Sequence, residues 1–339
     1  MSWMETKMPT SLFPLLRKLM IGAFFLIALL VLVWKLPTTY QHLMISFFIG
    51  MMLGQSWNIS GGYGGLFSFG HAAFFGAGAY TSSLLFARIG VNPWAGMFAG
   101  ALIAVVLAFF IGFIFLRLKG IYFAIATLAF AEVLRIGAVN LKKFTGGEEG
   151  IIFKKTPSIY VFGFEFLNFT EKMSFVYVAL LIVLVLFLIT FLLTNSKWGY
   201  YLIANREDED VAESLGINTL NCKVLSLALS AFFTSIAGSF YSNYMAMVAP
   251  EPVFGSEVSL ECVLVAIMGG IGTLWGPVVG SLIYIFLTEL VTSFFGEFHL
   301  LIHGALLIVF IMFLPYGAIG EIRRLFDLIA RKTEKNAIV

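Results

Sequence analysis

Long apolar runs separated by short polar segments dominate this chain of 339 residues. A helix needs about 20 apolar residues to cross a bilayer, and lipid cannot satisfy an open backbone. The runs lack the alternation of a transmembrane β-barrel, so they predict helices. The expected spans are 20–36, 43–57, 65–87, 94–116, 121–139, 174–194, 224–247, 258–275, 277–295 and 300–315. We therefore predict an all-α, polytopic membrane protein with about ten transmembrane helices in a single domain over residues 1–339.

Three polar segments interrupt this pattern, at 137–173, 195–223 and 321–339. The composition excludes an ordinary soluble domain, because 60% of the residues are hydrophobic, 12% are charged and the mean hydropathy is +0.96. With a cytoplasmic amino-terminus, thirteen of the 21 Lys and Arg residues fall inside the cell and seven outside, five of these in the 137–173 loop. The short loops then obey the positive-inside rule, which predicts cytoplasmic termini and a cytoplasmic amphipathic tail at 321–339.

The 195–223 segment is a polar island that contains its own helix signals. Acidic residues crowd the start of a predicted helix from Glu207 to Leu215, where the helix dipole favours them. Gly216 stands where a glycine would end that helix. A plain connection between spans needs only a few polar residues, so a capped helix favours a docking role. A solvated connection remains the alternative.

The same segment carries the pattern G-x-x-L-x-A-x-R-E-D-x-x-x-A-x-x-x-G-I-N. The matching residues are Gly199, Leu202, Ala204, Arg206, Glu207, Asp208, Ala212, Gly216, Ile217 and Asn218. This pattern resembles the cytoplasmic loop of branched-chain amino acid ABC permeases, in particular of their LivM-type subunit. In that family the loop docks onto a separate ATPase. The resemblance assigns the coupling role here to Arg206, Glu207, Asp208, Ala212 and Gly216.

Three further motifs extend the resemblance. The block from Gly61 to Tyr80 matches the early G-G-x-x-G-x-x-S-x-G-H-A-A-F-F-G-x-G-A-Y pattern, and 269–277 matches the late G-G-x-G-T-L-x-G-P signature. Residues 145–151 are similar to the family's T-G-G-x-x-G element. The resemblance implies the ABC importer permease fold, with glycine-interrupted helices. Glu148 and Glu149 depart from the residues usual at these two positions of the family's element. As charged residues in the large outer loop they are candidates for docking a binding protein, with a plain extracytoplasmic loop as the alternative.

The family resemblance also implies a set of partners. A LivM-type subunit works in the cell (inner) membrane with a homologous permease subunit, two ATPase subunits and an extracytoplasmic substrate-binding protein, and imports leucine, isoleucine and valine. The chain has no G-x-x-x-x-G-K-[ST] motif, so ATP is expected on the other subunits and no cofactor on this one. A permease for urea or short amides and an ion-driven secondary transporter remain alternatives. An enzyme is disfavoured, because the histidines at 42, 71, 299 and 303 form no catalytic or metal-binding set.

Three intramembrane carboxylates, Glu132, Glu261 and Glu289, are candidates for the translocation path. All fall in the outer halves of their predicted spans, and one could meet the ammonium group of a substrate. Glu289 is the preferred candidate, because Glu132 has Arg135 three residues away as an alternative partner. The glycine pairs also belong to this prediction, since both lie in a shared G-G-x-G-x-L pattern that interrupts a helix. These pairs are Gly61 and Gly62, and Gly269 and Gly270.

Overall fold

The computed structural model describes residues 37–153, 159–161, 164–167, 169 and 172–295, with isolated positions between 304 and 324. The predicted span at 20–36 lies outside the described residues, and so do most of the span at 300–315 and of the tail at 321–339. Within the described residues, six helical segments are long and apolar enough to cross a membrane. They are Pro93–Phe115, Ile121–Asn140, Lys172–Thr194, Thr219–Met245, Pro250–Gly269 and Gly276–Phe294. A helical membrane protein is therefore confirmed, whereas the count of about ten spans is not.

Helices form nearly all of the described chain. They are α1 Thr38–Trp57, α2 His71–Leu84, α3 Pro93–Phe115, α4 Ile121–Asn140, α5 Lys142–Thr145, α6 Lys172–Thr194, α7 Lys197–Glu207, α8 Glu209–Ser214, α9 Thr219–Met245, α10 Pro250–Phe254, α11 Ser256–Gly269 and α12 Gly276–Phe295. Two π-helical segments, Asn58–Tyr63 and Leu85–Ile89, continue α1 and α2. The predicted spans 65–87 and 258–275 were too long, because α2 begins only at His71 and α11 ends at Gly269.

Short strands interrupt the all-α prediction at one end of the bundle. β1 (Ile151–Ile152) pairs antiparallel with β4 (Met247–Val248), which joins the long loop to the end of α9. β2 (Ile159–Val161) and β3 (Phe164–Leu167) form an antiparallel hairpin. These pairs give an ordered frame to part of the long 137–173 loop.

The core is built around α9, which packs against α2 and α3. Glycines let these backbones approach closely: a Cβ atom added at Gly78 would lie 2.1 Å from the carbonyl oxygen of Ser235, and one at Gly238 would lie 2.0 Å from that of Phe75. Such small-residue contacts are typical of membrane helix pairs, where close packing replaces the hydrophobic effect. His71, fully buried at the start of α2, lies 2.7 Å from the Ser230 hydroxyl, measured from Nε2, so this histidine is packed and hydrogen-bonded.

Two helices reach across a membrane only with the helical segments that adjoin them. At about 1.5 Å per residue, the 14 residues of α2 or of α11 rise about 21 Å, and Leu85–Ile89 and α10 respectively extend them toward the hydrocarbon thickness of about 30 Å. Non-helical segments at 64–70 and 270–275 adjoin them. Irregular backbone is tolerated at membrane depth only where protein satisfies its polar groups. Here Trp57 donates from its indole nitrogen to Ser68 (2.8 Å), and the Phe69 amide donates to Thr127 (3.1 Å).

The chain direction defines two ends of the bundle. The carboxyl end of α1 and the amino ends of α9 and α12 lie beside the 195–223 loop, and we call this the loop end. The amino end of α1 and the carboxyl ends of α9 and α12 lie at the opposite, far end. The two ends carry different candidate sites.

Candidate functional sites at the two ends of the bundle

The loop at 195–223 contains two helices where one was predicted. Glu207 ends α7 instead of opening the predicted helix, and the extended backbone of Asp208 (φ −156°) separates α7 from α8. The Asp208 carboxylate accepts hydrogen bonds from the amides of Asp210 and Val211, both at 3.0 Å, and so caps α8. The sequence did not show this, because Asp208 suits both the first turn of a helix and the cap before it.

The end of α8 agrees with the prediction. Gly216 adopts the left-handed conformation (φ +82°), its amide donates to Glu213 at 2.9 Å, and the Ile217 amide donates to Ala212 at 3.1 Å. These two bonds form a Schellman motif, which satisfies the last carbonyls of a helix and favours glycine at this position. Ala212 is buried, so its face of α8 packs against the rest of the protein.

Ion pairs fix α8 to the rest of the loop end. The Glu209 carboxylate pairs with Lys223 on α9, and it also lies 3.8 Å from Lys119 in the connection between α3 and α4. Thr219 donates to Glu213 at 2.7 Å. These contacts hold α8 at several points. A partner that binds its free face would therefore displace α8 as a rigid unit.

The free face of this loop is apolar. Val211 and Leu215 are 54% and 75% exposed, and Trp198 and Tyr200 on α7 are 46% and 65% exposed. A cavity of about 380 Å³ opens beside them. Its lining residues are Trp198, Tyr201, Leu215, Gly216, Ile217, Asn218, Asn221 and Cys222. Sequence reasoning pointed to the charged residues and missed this apolar surface, although the apolar residues within a polar island were a usable signal.

The guanidinium of Arg206, one of the predicted coupling residues, contacts the permease itself, and its side chain is 33% exposed. Its Nη1 atom donates to the carbonyl oxygen of Gly62 at 2.8 Å, in the π-helical segment after α1. Its remaining nitrogens donate to Glu207, whose side chain is 66% exposed. Of the other predicted coupling residues with charged side chains, both Glu207 and Asp208 are exposed.

At the far end, the structure brings Glu261 and Glu289 together. Both line a cavity of about 310 Å³. The lining residues are Thr39, His42, Leu43, Ser46, Ile49, Tyr241, Tyr244, Met245, Glu261, Tyr284, Ile285, Thr288 and Glu289. This described lining contains two carboxylates, three tyrosines and a histidine, and contains neither Lys nor Arg. It therefore favours a ligand that carries a positive charge.

Glu132 is not part of that cavity. Arg135 donates to both of its carboxylate oxygens at 3.0 Å through Nε, and donates to Glu251 at 2.7 Å through Nη1. The expected ion pair with Arg135 is thus present, but it extends to a third charge. The side chain of Glu132 is 45% exposed and that of Glu251 is 77% exposed, so this ion pair lies near the protein surface and not in the interior of the bundle. A carboxylate engaged in this cluster is a poor partner for a substrate.

The two glycine pairs lie at the loop end, away from the carboxylate cavity. Gly61, Gly62, Gly269 and Gly270 are all buried. A Cβ atom at Gly62 would lie 2.7 Å from the amide nitrogen of Gly272, so the two G-G-x-G-x-L segments touch. The two segments that share the G-G-x-G-x-L pattern are therefore in contact, and the sequence alone did not predict this contact.

Glu148 and Glu149 are exposed in a 3-10 turn, Gly147–Glu149. Beside them, Arg88 donates to the carbonyl oxygens of Lys143 and Phe144, the latter at 2.8 Å. The side chain of Arg88 thereby ties the α2–α3 connection to α5. Glu148 and Glu149 thus lie next to a segment that the hydrogen bonds of Arg88 hold in place.

Comparison with known proteins agrees with this architecture. The chain matches the family described as branched-chain amino acid transport system / permease component over residues 39–311. The chain belongs to this permease family. It is similar to the high-affinity branched-chain amino acid transport system permease protein LivM of Escherichia coli K12, with 31% identity over 88% of this chain and 75% of the relative. No solved structure gives a significant match.

Other relatives extend the comparison. LivM of Salmonella typhimurium LT2 is 30% identical to this permease over 81% of the chain and 68% of the relative. LivH of Escherichia coli K12 is 25% identical over 76% of this chain and 86% of that protein. The family and the apolar helices together show a multi-pass permease of the cell membrane.

Proposed function

We propose that this chain is the LivM-type subunit of an ABC importer that carries leucine, isoleucine and valine into the cell. The observation that carries the proposal is the similarity to LivM proteins over more than four fifths of the chain. The two candidate sites support it, because an importer needs a substrate path at one end and an energy-coupling surface at the other. We assign the whole chain, residues 1–339, to one transmembrane domain with both termini in the cytoplasm.

The coupling surface consists of α8 and its apolar neighbours. The exposed side chains of Val211 and Leu215 present a compact apolar surface, with Glu207 at its edge. Glu209 forms ion pairs with both α9 and the α3–α4 connection. A partner that displaces this surface would therefore move more than one element of the bundle. We assign its partner as one of two separate ATPase subunits.

The substrate path begins at the carboxylate cavity. A volume of about 310 Å³ lies near the lower limit of the pockets that bind small molecules, about 300–1,000 Å³. Glu261 and Glu289 supply acceptors for an ammonium group, while Leu43 and Ile49 offer apolar contacts to a branched side chain. Urea carries no charge, so this lining favours an amino acid over urea.

Two further partners complete the complex. The similarity to LivH supports a second, homologous permease subunit, since both names occur among the relatives of this one chain. The braced 3-10 turn with Glu148 and Glu149 supports an extracytoplasmic binding protein that docks at the far end. Its contact would be electrostatic and sensitive to salt.

The test is uptake by the reconstituted complex. The chain is co-expressed with its partner subunits in a strain that lacks branched-chain amino acid uptake, and accumulation of labelled leucine is measured with excess unlabelled leucine, valine or urea. We expect leucine and valine to compete and urea to have no effect. Absence of leucine accumulation in cells that accumulate labelled urea through the same complex would make an amide the substrate, and leucine uptake that persists after ATP is depleted would refute the ABC mechanism.

A further inference from the structure

The side chain of Arg206 reaches both glycine-interrupted segments. Its Nη1 atom donates to Gly62 at 2.8 Å. A Cβ atom at Gly272 would lie 2.6 Å from the same nitrogen, and one at Gly65 would lie 3.1 Å from the Arg206 Cα atom. A side chain at Gly272 would displace the guanidinium, one at Gly65 would crowd the Arg206 backbone, and both positions have positive φ (+71° and +72°), which favours glycine. The glycines therefore form the space that this side chain occupies.

Asn58 joins the same two segments from inside the bundle. Its Nδ2 donates to the carbonyl oxygen of Thr273 at 2.9 Å, and its Oδ1 accepts from the amide of Gly272 at 2.8 Å. Asn58 is fully buried, so it cannot contact another subunit. A Cβ atom at Gly62 would lie 1.9 Å from Oδ1, which shows that Gly62 must lack a side chain for this amide to fit.

Side chains, and not helical backbone bonds, hold these segments together. Gly272 and Thr273 lie between α11 and α12 and are bonded to Asn58, whereas Gly62 lies in the π-helical segment and is bonded to Arg206. The side-chain hydrogen bonds across the junction between the two segments are few, each worth about 0.5–1.5 kcal/mol net, and they act together with the close backbone packing of Gly62 and Gly272.

The junction is connected directly to α8. Arg206 lies two residues before Asp208, which separates α7 from α8, and Asn205 also donates to Gly64 at 3.5 Å. A displacement of α8 reaches the last turn of α7 through Asp208, in addition to the elements that Glu209 contacts. The first group it would withdraw from the bundle is the Arg206 guanidinium.

We propose that Arg206 and Asn58 form an inner latch, which holds 61–65 against 270–273 and closes the loop end of the path until α8 moves. Arg206 is then a positioning residue within the permease and not a contact to the ATPase. This inference rests on the proposed coupling role of α8. It goes beyond that role by naming the segments of the permease, 61–65 and 270–273, that separate when α8 moves.

The test measures access to the junction. Thr273→Cys serves as the reporter, and a membrane-impermeant maleimide is added to inside-out vesicles containing the nucleotide-free complex. The native Cys222 and Cys262 are buried, but Cys222 lines the cavity beside α7, so each variant is also labelled without the reporter to give its own background. Labelling is compared for Arg206→Gln, for Asn58→Ala and for the control Lys197→Gln, which removes an exposed charge at the start of α7.

We expect each latch variant to accelerate labelling by about two- to thirteenfold, the effect of losing a hydrogen bond worth about 0.5–1.5 kcal/mol, while the control leaves the rate unchanged. The ATPase should co-purify with all three variants as with the wild type. Faster labelling in Asn58→Ala is decisive, because a buried residue cannot act through docking. If that variant does not insert, Asn58→Asp retains the shape and the bond to Gly272 but loses the donor to Thr273, and the same acceleration is expected.

Two results would overturn the latch. One is unchanged labelling in both latch variants. The other is loss of the ATPase from Arg206→Gln without faster labelling, which would make Arg206 a docking residue. Labelling does not depend on the substrate carried, so a failure of leucine uptake in the wild type would refute the proposed function and leave this result standing.

Discussion

The Nδ1 atom of His42 lies 2.6 Å from the hydroxyl oxygen of Tyr244, and the two rings stack with their centroids 5.8 Å apart. This pair fixes the spacing of α1 and α9 at the far end of the bundle. It borders the cavity to which α11 and α12 contribute Glu261 and Glu289. Glu261 and Glu289 thus line a cavity whose other lining residues are known, and each of them can be tested by substitution.

Removing the charge of either carboxylate should impair transport. For Glu261→Gln and Glu289→Gln we expect kcat/KM for leucine uptake to fall by about tenfold or more, because a hydrogen bond to a charged group contributes about 1.5–3 kcal/mol. Uptake kinetics in whole cells provide the measurement, with the membrane content of each variant determined by immunoblotting. Glu257→Gln is the matched control, since Glu257 lies one turn before Glu261 on α11 and does not line the cavity. Wild-type kinetics in both cavity variants would leave these glutamates a structural role only.

Changing Gly216 to proline should uncouple the permease from its ATPase. Proline requires φ near about −65°, whereas Gly216 has φ +82°, and the substitution also removes the amide that donates to Glu213. Glu207→Lys should act similarly by reversing an exposed charge beside α8. We expect uptake to be abolished and ATP hydrolysis to lose its response to loaded binding protein, with normal insertion. The control is Gly90→Pro, because Gly90 (φ +76°) ends a helical segment in the same conformation at the far end. Full transport by Gly216→Pro would contradict a docking role for α8.

The apolar face of α8 should contribute more to docking than its charges. Replacing Val211 or Leu215 with Asp places a charge on a surface that is 54% or 75% exposed in this chain, so folding should be unaffected. Binding to the ATPase should weaken, because an unpaired charge would have to be desolvated at the interface. Co-purification of the ATPase from detergent extracts measures this effect. Equal recovery from wild type and both variants would show that the partner does not cover this face.

Docking of the binding protein at the 3-10 turn Gly147–Glu149 should depend on the salt concentration. Replacing both Glu148 and Glu149 with Gln should weaken docking of the binding protein by about two- to thirtyfold, because exposed ion pairs contribute about 0.2–1 kcal/mol each. The dependence of docking on ionic strength should flatten as well. The charge-preserving double replacement by Asp is the control and should keep the wild-type salt profile. An unchanged profile in the Gln variant would show that this turn only connects helices.

Helix packing provides a prediction about stability. Gly78→Ala would place a methyl group 2.1 Å from a backbone oxygen of α9, and such overpacking costs about 1–3 kcal/mol. We expect a lower unfolding temperature in detergent, measured by loss of the monodisperse species on heating. Gly137→Ala on α4 is the matched control, because no atom lies within 4 Å of its added Cβ and alanine favours a helix. Equal unfolding temperatures would contradict the close packing of α2 on α9.

The sequence alone determined the class of the protein and several of its local features. Apolar runs determine helices in a lipid environment, whatever their neighbours, so the boundaries at Pro93–Phe115 and Lys172–Thr194 were close to those predicted. The end of α8 at Gly216 was also predictable, since the left-handed conformation after a helix strongly favours glycine. Local rules of this kind operate within a few residues.

The arrangement of the sites depended on the tertiary structure. Glu132, Glu261 and Glu289 are similar in sequence context, but only the last two line one cavity, because helix packing and not spacing decides which faces meet. Arg206 matched an outward coupling motif, yet its guanidinium is held by a carbonyl oxygen 144 residues away. Hydrogen bonds between distant segments leave no periodic signal in a sequence. For this reason the contact between the two glycine segments, and with it the proposed latch, became visible only in the folded chain.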